Sequence, residues 1–166
     1  KGFEWIVLDN NADGGVLAIM ASTWNNEKYR FDDDGCNNYA KSSLRRKLLN
    51  ELLPVLGEDN LLPHVVDLVA DNGDDRCGTV TDRVFILSCD EYRKYRKHVP
   101  LLSTWMWTCT PWYITDAGYS GCVRFVSNTG SLSSNGADYS GGVVPACAFN
   151  PEKLKVKNTI VQLVEA

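Results

Sequence analysis

The first twenty residues place the strongest constraint on the fold. Phe3–Asp9 (FEWIVLD) and Val16–Ala21 (VLAIMA) are short apolar runs separated by Asn10–Gly15 (NNADGG). That linker is rich in residues that tolerate left-handed turn conformations, so the pair predicts a β-hairpin. Both runs are apolar on both faces, which requires other elements to cover the hairpin on two sides. A chain of 166 residues can supply them from one domain with a real core. With 44% apolar and 23% charged residues it has a globular composition, which excludes disorder as its general state.

The covering elements are legible downstream. Ser42 or Ser43 caps a helix through SLRRKLLNELL, where Leu44, Leu48 and Leu52 form a stripe widened by Leu49 and Leu53, and Pro54 is expected to stop it. Val84–Ser88 (VFILS) predicts a strand. Ser88 and Glu91 stand at capping-box spacing before a short helix, DEYRKYRK. Trp24–Ala40, with its acidic triplet Asp32–Asp34, lacks the alternating ligands and closing glutamate of a calcium loop and reads as solvated loop. Glu58–Gly78 also reads as loop. Cys122–Ser127, Val143–Phe149 and Thr159–Val164 are strand-like, and no internal repeat is present. In TWMWTCTPW, Trp105 and Trp107 are two apart in an extended run and should share a face, with Met106 on the other. Trp107 is expected in the core and Trp112 at the base of the loops that follow.

Most chemistries lack a signature. No apolar run approaches the roughly 18–20 residues of a membrane span. The net charge of −4 is opposite to that of a nucleic-acid binder. The six cysteines (Cys36, Cys77, Cys89, Cys109, Cys122, Cys147) form no C-x-x-C, and His64 and His98 stand alone, so neither a metal site nor a Ser–His or Cys–His pair is expected. Small buried thiols with at most one or two disulfides are the simplest reading of those cysteines. There is no G-x-S-x-G elbow and no glycine-rich phosphate cradle, and no cofactor is implied. The chain begins at Lys1 without a signal-peptide pattern, as expected of a piece of a longer protein.

One stretch departs from the rest in composition. Tyr113–Pro151 contains no Lys, Glu, Gln, Met or Trp, whereas those five types supply 24 of the other 127 residues. Its surface-type residues are tyrosines, six serines, and Asn, Asp, Thr and Gly. Tyrosine offers large rigid contact area at small entropic cost, and Ser, Gly and Asn offer adaptable hydrogen bonds, the composition of antibody binding loops. The alternative is a glycine-rich connecting loop.

Several segments, in order, resemble a large uncharacterised family of bacterial and phage domains. Tyr39–Arg45 with Leu49–Asn50 matches a y-x-x-S-x-L-R-x-x-L-N segment, and VFILSCDEY matches vFlLs-x-x-E-y. Trp105–Pro111 (WMWTCTP) and Gly142–Ala146 (GVVPA) stand where the family has W-W-L-R-S-P and G-V-R-P-A. Cys109 and Val144 replace the family arginines, so no role of those arginines is carried over. Proteins of this organisation resemble the C-type lectin fold, shared with sulfatase-modifying enzymes and with variable proteins of diversity-generating retroelements. The resemblance implies an α+β domain with paired N- and C-terminal strands, two helices and a long loop-rich C-terminal half. The E-P-N and W-N-D motifs of calcium-dependent lectins are absent, so sugar binding of that kind is not implied.

The variable-protein resemblance accounts for the odd composition. Randomising adenines in Asn-type codons reaches fifteen residue types and excludes Lys, Glu, Gln, Met and Trp, the five missing here. The implied function is a binding module, not an enzyme. Its ligand face would comprise Trp112, Tyr113, Asp116, Tyr119, Ser120, Asn128, Ser131, Ser133, Ser134, Asn135, Asp138 and Tyr139. Of these, Tyr113, Asp116, Tyr119, Asn128, Ser133, Asn135, Asp138 and Tyr139 should be mainly exposed and close together above buried Val123, Phe125 and Val143. The expected partner is a protein or cell-surface ligand, met on a bacterial surface or phage particle. Two other readings are an enzyme of the sulfatase-modifying type, with a cysteine pair drawn from Cys109, Cys122 and Cys147, and a structural domain of a larger surface or virion protein.

Overall fold

The computed structural model describes residues 2–12, 14–115, 121–157 and 160–163. The hairpin forms as expected: β1 (Trp5–Ala12) pairs antiparallel with β2 (Gly15–Met20), Ile6 opposite Ile19. Two register shifts along β1 absorb the polar linker, so the strands run further into it than its composition suggests. A third short strand, β3 (Lys28–Arg30), lies within the segment read as loop. Asp32 is not solvated there but 3% exposed.

Helix α1 (Ser43–Lys47) is capped by Ser42, whose hydroxyl accepts from the Arg45 amide. It runs into a π-helical turn (Leu48–Leu52) and then α2 (Leu53–Leu56), so Pro54 does not end the helix. Proline carries no amide hydrogen and clashes with the carbonyl four residues back, but here it occupies the first turn of α2, just after the Leu53 amide has reached back to the Leu48 carbonyl. The wider turn also serves packing. Leu44, Leu48, Leu52 and Leu56 are all buried, and a stripe of period four drifts about 40° per step on a regular α-helix. The π turn offsets part of that drift. Gly57, at φ 78°, closes the helix.

Glu58–Gly78, expected to be loop, contains β4 (Leu61–Leu62) and β5 (His64–Asp67). The latter pairs antiparallel with β6 (Thr79–Asp82). Arg45 fixes this ribbon to α1 through two bonds to the buried Asp82 carboxylate, at 2.8 and 2.7 Å. Val84–Ser88 is buried as a strand would be, but only Phe85 forms a bridge, to Ala146. The segment is divided between two sheets: the Phe85 amide donates to the Ala146 carbonyl, while the Leu87 carbonyl accepts from the Cys109 amide. Helix α3 (Cys89–Tyr95) follows with the expected capping box. Glu91, which closes that box, also pairs with His64 Nε2 at 2.7 Å.

The last third supplies β7 (Met106–Pro111), β8 (Cys122–Val126), β9 (Leu132–Gly136), β10 (Ser140–Gly142) and β11 (Ala146–Phe149), then β12 (Leu154–Lys157) and β13 (Ile160–Leu163). One sheet has the order β1-β2-β11-β4 and the other β3-β10-β7-β8-β9, so the fold is mixed α+β. The expected pairing of first and last strands is not formed among the described residues: β1 pairs with β2, and β13 with β12. The inner place beside β2 is taken by β11, whose side chains are buried throughout. No helix among the described residues is long and apolar enough to cross a membrane.

Phe85 is fully buried where the two sheets meet, so Phe85→Ala should lower the unfolding free energy by about 3–5 kcal/mol. Val55→Ala, at an exposed helical site, should stay within about 0.5 kcal/mol. Urea unfolding of the two variants measures the contrast.

Candidate functional site

The tryptophan run sets the geometry of the five-stranded sheet. Trp105 and Trp107 meet edge to face at 4.7 Å, and Trp107 is buried with its Nε1 donating to the Tyr29 carbonyl at 3.1 Å. Met106 is buried as well. Trp105 rests against Phe125 at 4.6 Å and lies over Gly141, where any side chain would collide with its ring. Past Pro111 the chain leaves the sheet. Trp112 and Tyr113 become exposed, their rings 5.2 Å apart and nearly perpendicular.

The β8–β9 hairpin separates the expected site residues into groups. Asn128 and Ser131 are exposed on its turn, where Ser127 Oγ accepts from the Thr129 and Ser131 amides. That turn is docked on α3 through the Gly130 carbonyl, which accepts from Tyr92 Oη and Arg96 Nη1, both at 2.8 Å. The other end of the hairpin, at the Cys122–Gly136 pair, is four residues away, or about 13 Å along a strand. There Asn135 Oδ1 accepts from the Gly136 amide, and the Tyr139 amide donates to the Gly136 carbonyl. A Cβ at Gly136 would lie 2.8 Å from Asp138 Oδ1 and 3.1 Å from the Tyr139 ring. Asn135, Asp138 and Tyr139 therefore gather around Gly136. Ser133 and Ser134 lie between the two ends, opposite Phe125 and Arg124.

Tyr113, Asn128, Ser131, Ser133, Asp138 and Tyr139 are exposed, and Ser134 and Asn135 are half-buried. Val123 and Val143 are buried beneath, whereas Phe125 is only half-buried because its neighbour across the edge strand is a small serine, Ser133. Asp116, Tyr119 and Ser120 lie outside the described residues.

The residues that hold this region come from the turn read as solvated loop. Asp32 Oδ2 accepts from the amides of Asp34 and Cys36, and its Oδ1 accepts from the Ser43 amide. Asn37, fully buried, donates through Nδ2 to the carbonyls of Tyr113 and Cys122, at 2.8 and 3.3 Å. Arg76 Nη2 donates to the next carbonyl, that of Ile114, while pairing with Asp74, whose carboxyl it holds below the usual range. The local signals were the Asp34–Gly35 turn pair and the Asn37–Asn38 doublet, but neither shows which distant carbonyls would be met.

A cleft of about 190 Å³ opens beside the start of α3, lined in part by Asp67, Asp71 and Arg93. It falls below the roughly 300–1,000 Å³ of small-molecule sites. Asp71 is engaged there by Arg93 at 3.2 Å and Arg124 at 3.4 Å. Among the described residues no group of three His, Cys, Asp or Glu side chains converges as a metal site. Cys109 and Cys147 are fully buried, and burial holds both thiols well above their ordinary pKa; Cys122 is half-buried. Cys77 is pushed up to about 11 by burial and by nearby Cys36. No protein-family model matches the chain, and neither a curated protein nor a solved structure matches it.

Raised thiol pKa values set a pH dependence. Cys77, Cys109 and Cys147, and the buried Tyr39 phenol, ionise more readily when unfolded, so their stabilising contribution is complete below the unfolded thiol value. It is lost as the pH rises past about 9. Urea midpoints should fall across that range, and at pH 8 a thiol reagent should label Cys36 and Cys122 before Cys109 or Cys147. Prompt labelling of Cys147 in the folded protein would contradict this assignment.

Proposed function

We propose that the chain is a ligand-recognition module whose binding surface is built on the Trp112–Tyr139 region of a C-type lectin-like domain. The carrying observation is where the exposed aromatics lie. Among the described residues the large aromatic side chains left exposed are Trp112, Tyr113 and Tyr139, all from this region. They are accompanied by Ser133 and Asp138, also exposed, and by half-buried Asn135. Aromatic anchors among small polar groups are the composition of recognition surfaces. A broad display of this kind suits a protein or cell-surface ligand better than a small molecule, which would call for an enclosing pocket.

The composition of Tyr113–Pro151 further supports a surface diversified by adenine-directed mutagenesis, as in the variable proteins it resembles. Diversification demands that the varied side chains contribute little to stability, and exposed residues meet that demand. A near-duplicate template beside the coding gene, differing at adenines, is the genetic signature expected of this reading.

Tyr113→Ala and Tyr139→Ala should each leave the unfolding free energy within about 0.5 kcal/mol of the parent. Binding of the labelled protein to intact bacterial cells that capture it should fall by about tenfold or more in the double variant. A loss of several kcal/mol of stability in either single variant, or unchanged cell binding, would overturn the proposal.

A further inference from the structure

The Asp32–Asn37 turn meets each of three successive segments of the proposed binding region, and it does so through their backbone atoms. The Asp32 amide donates to the Ala137 carbonyl at 2.9 Å, just past β9. The Gly35 carbonyl accepts from the Gly121 amide at 3.3 Å, just before β8. Asn37 Nδ2 donates to the carbonyls of Tyr113 and Cys122. Two further bonds join the segments to each other, from the Trp112 amide to the Cys122 carbonyl and from the Ala137 amide to the Gly121 carbonyl.

Asn37 is the member of this set whose side chain does the joining. Its carboxamide is fully buried, and its Oδ1 has no hydrogen-bond partner. A buried unpartnered acceptor is unfavourable, so a side chain needed only to fill the space would be better apolar. The two donated bonds are what the amide supplies. They span the point where Tyr113 leaves the sheet and Cys122 returns to it, fixing the separation of the two segments through main-chain carbonyls.

We propose that Asn37 is the positioning residue of the binding surface, holding its segments by their carbonyls so that the displayed side chains can be exchanged without moving the backbone beneath them. The purpose assigned to it rests on the binding reading above; the mechanical claim does not. Glycine at positions 35 and 121 suits this arrangement, since the backbone there takes φ 75° and 152°, conformations that other residues rarely adopt.

Amide hydrogen exchange on the intact chain tests the claim without any ligand, so a failure of the binding reading leaves the result interpretable. Asn37→Leu keeps the shape and removes the donor. It should accelerate exchange at Trp112, Gly121 and Ala137 by about tenfold or more while Met20 and Tyr92, hydrogen-bonded elsewhere in the fold, stay within about twofold. Uniform acceleration at all five amides would make Asn37 an ordinary core residue and overturn the proposal, as would no acceleration. A second variant keeps the test open should Asn37→Leu not fold. Replacing Tyr113, Ser133, Asp138 and Tyr139 together by Ala should leave Trp112, Gly121 and Ala137 within about threefold of the parent. Faster exchange there would mean that the displayed side chains themselves hold the segments, and the proposal would be wrong.

Discussion

A single buried carboxylate organises the part of the molecule that supports the proposed binding surface. Asp32 takes three backbone amides, two from its own turn and one from the start of α1 at Ser43. Charge-assisted bonds of this kind are stronger than neutral ones, and a buried carboxylate needs them to offset its lost hydration. By closing the turn and fixing it to the helix, Asp32 turns a polar, glycine-containing segment into a rigid element. The carbonyl of Gly35 and the side-chain amide of Asn37 are then presented to the proposed binding region from a fixed base.

That base is tied to the core from several directions. Arg45, one turn into the same helix, holds the β5–β6 ribbon through Asp82. Phe31 and Tyr39, on either side of the turn, are fully buried and pack against each other, with Phe31 also meeting Trp107. Trp107 belongs to β7, the central strand of the five-stranded sheet. The proposed binding region therefore grows out of a sheet whose middle is packed against the turn that supports its end. Val84–Ser88 joins this sheet to the four-stranded one by hydrogen bonds on both sides.

Rigid support and tolerant display are physically compatible because they use different atoms. Backbone carbonyls and amides are the same whatever side chain a residue carries, apart from proline's missing donor and the conformational demands of glycine. A surface held through such groups can vary Tyr113, Ser133, Asp138 or Tyr139 with little effect on the fold. Gly141 is an exception within the same region. A Cβ there would enter the Trp105 ring. This position belongs to the support even though it lies beside residues of the proposed display.

Local sequence alone determined the elements whose signals are short-range. The hairpin at the N-terminus, the Ser42 cap, the leucine stripe, the Ser88–Glu91 capping box and the shared face of Trp105 and Trp107 all depend on residues within a few positions of one another. The exposure of Tyr113 and Tyr139 was legible in the same way, from composition. Tertiary structure decided whatever depended on distant partners. Asp32 looked like part of a hydrophilic triplet because nothing nearby reveals that the Ser43 amide would need it. Val84–Ser88 had the burial of a strand but was shared between two sheets, and β11, beside β2, joined the N-terminal hairpin where the last strand was expected to pair with the first. Asn37 carried no signal of its role, because the carbonyls it binds lie 76 and 85 residues away in sequence. Periodicity and capping are written within one or two turns of chain, whereas the choice of hydrogen-bond partner across a fold is made only when the segments meet.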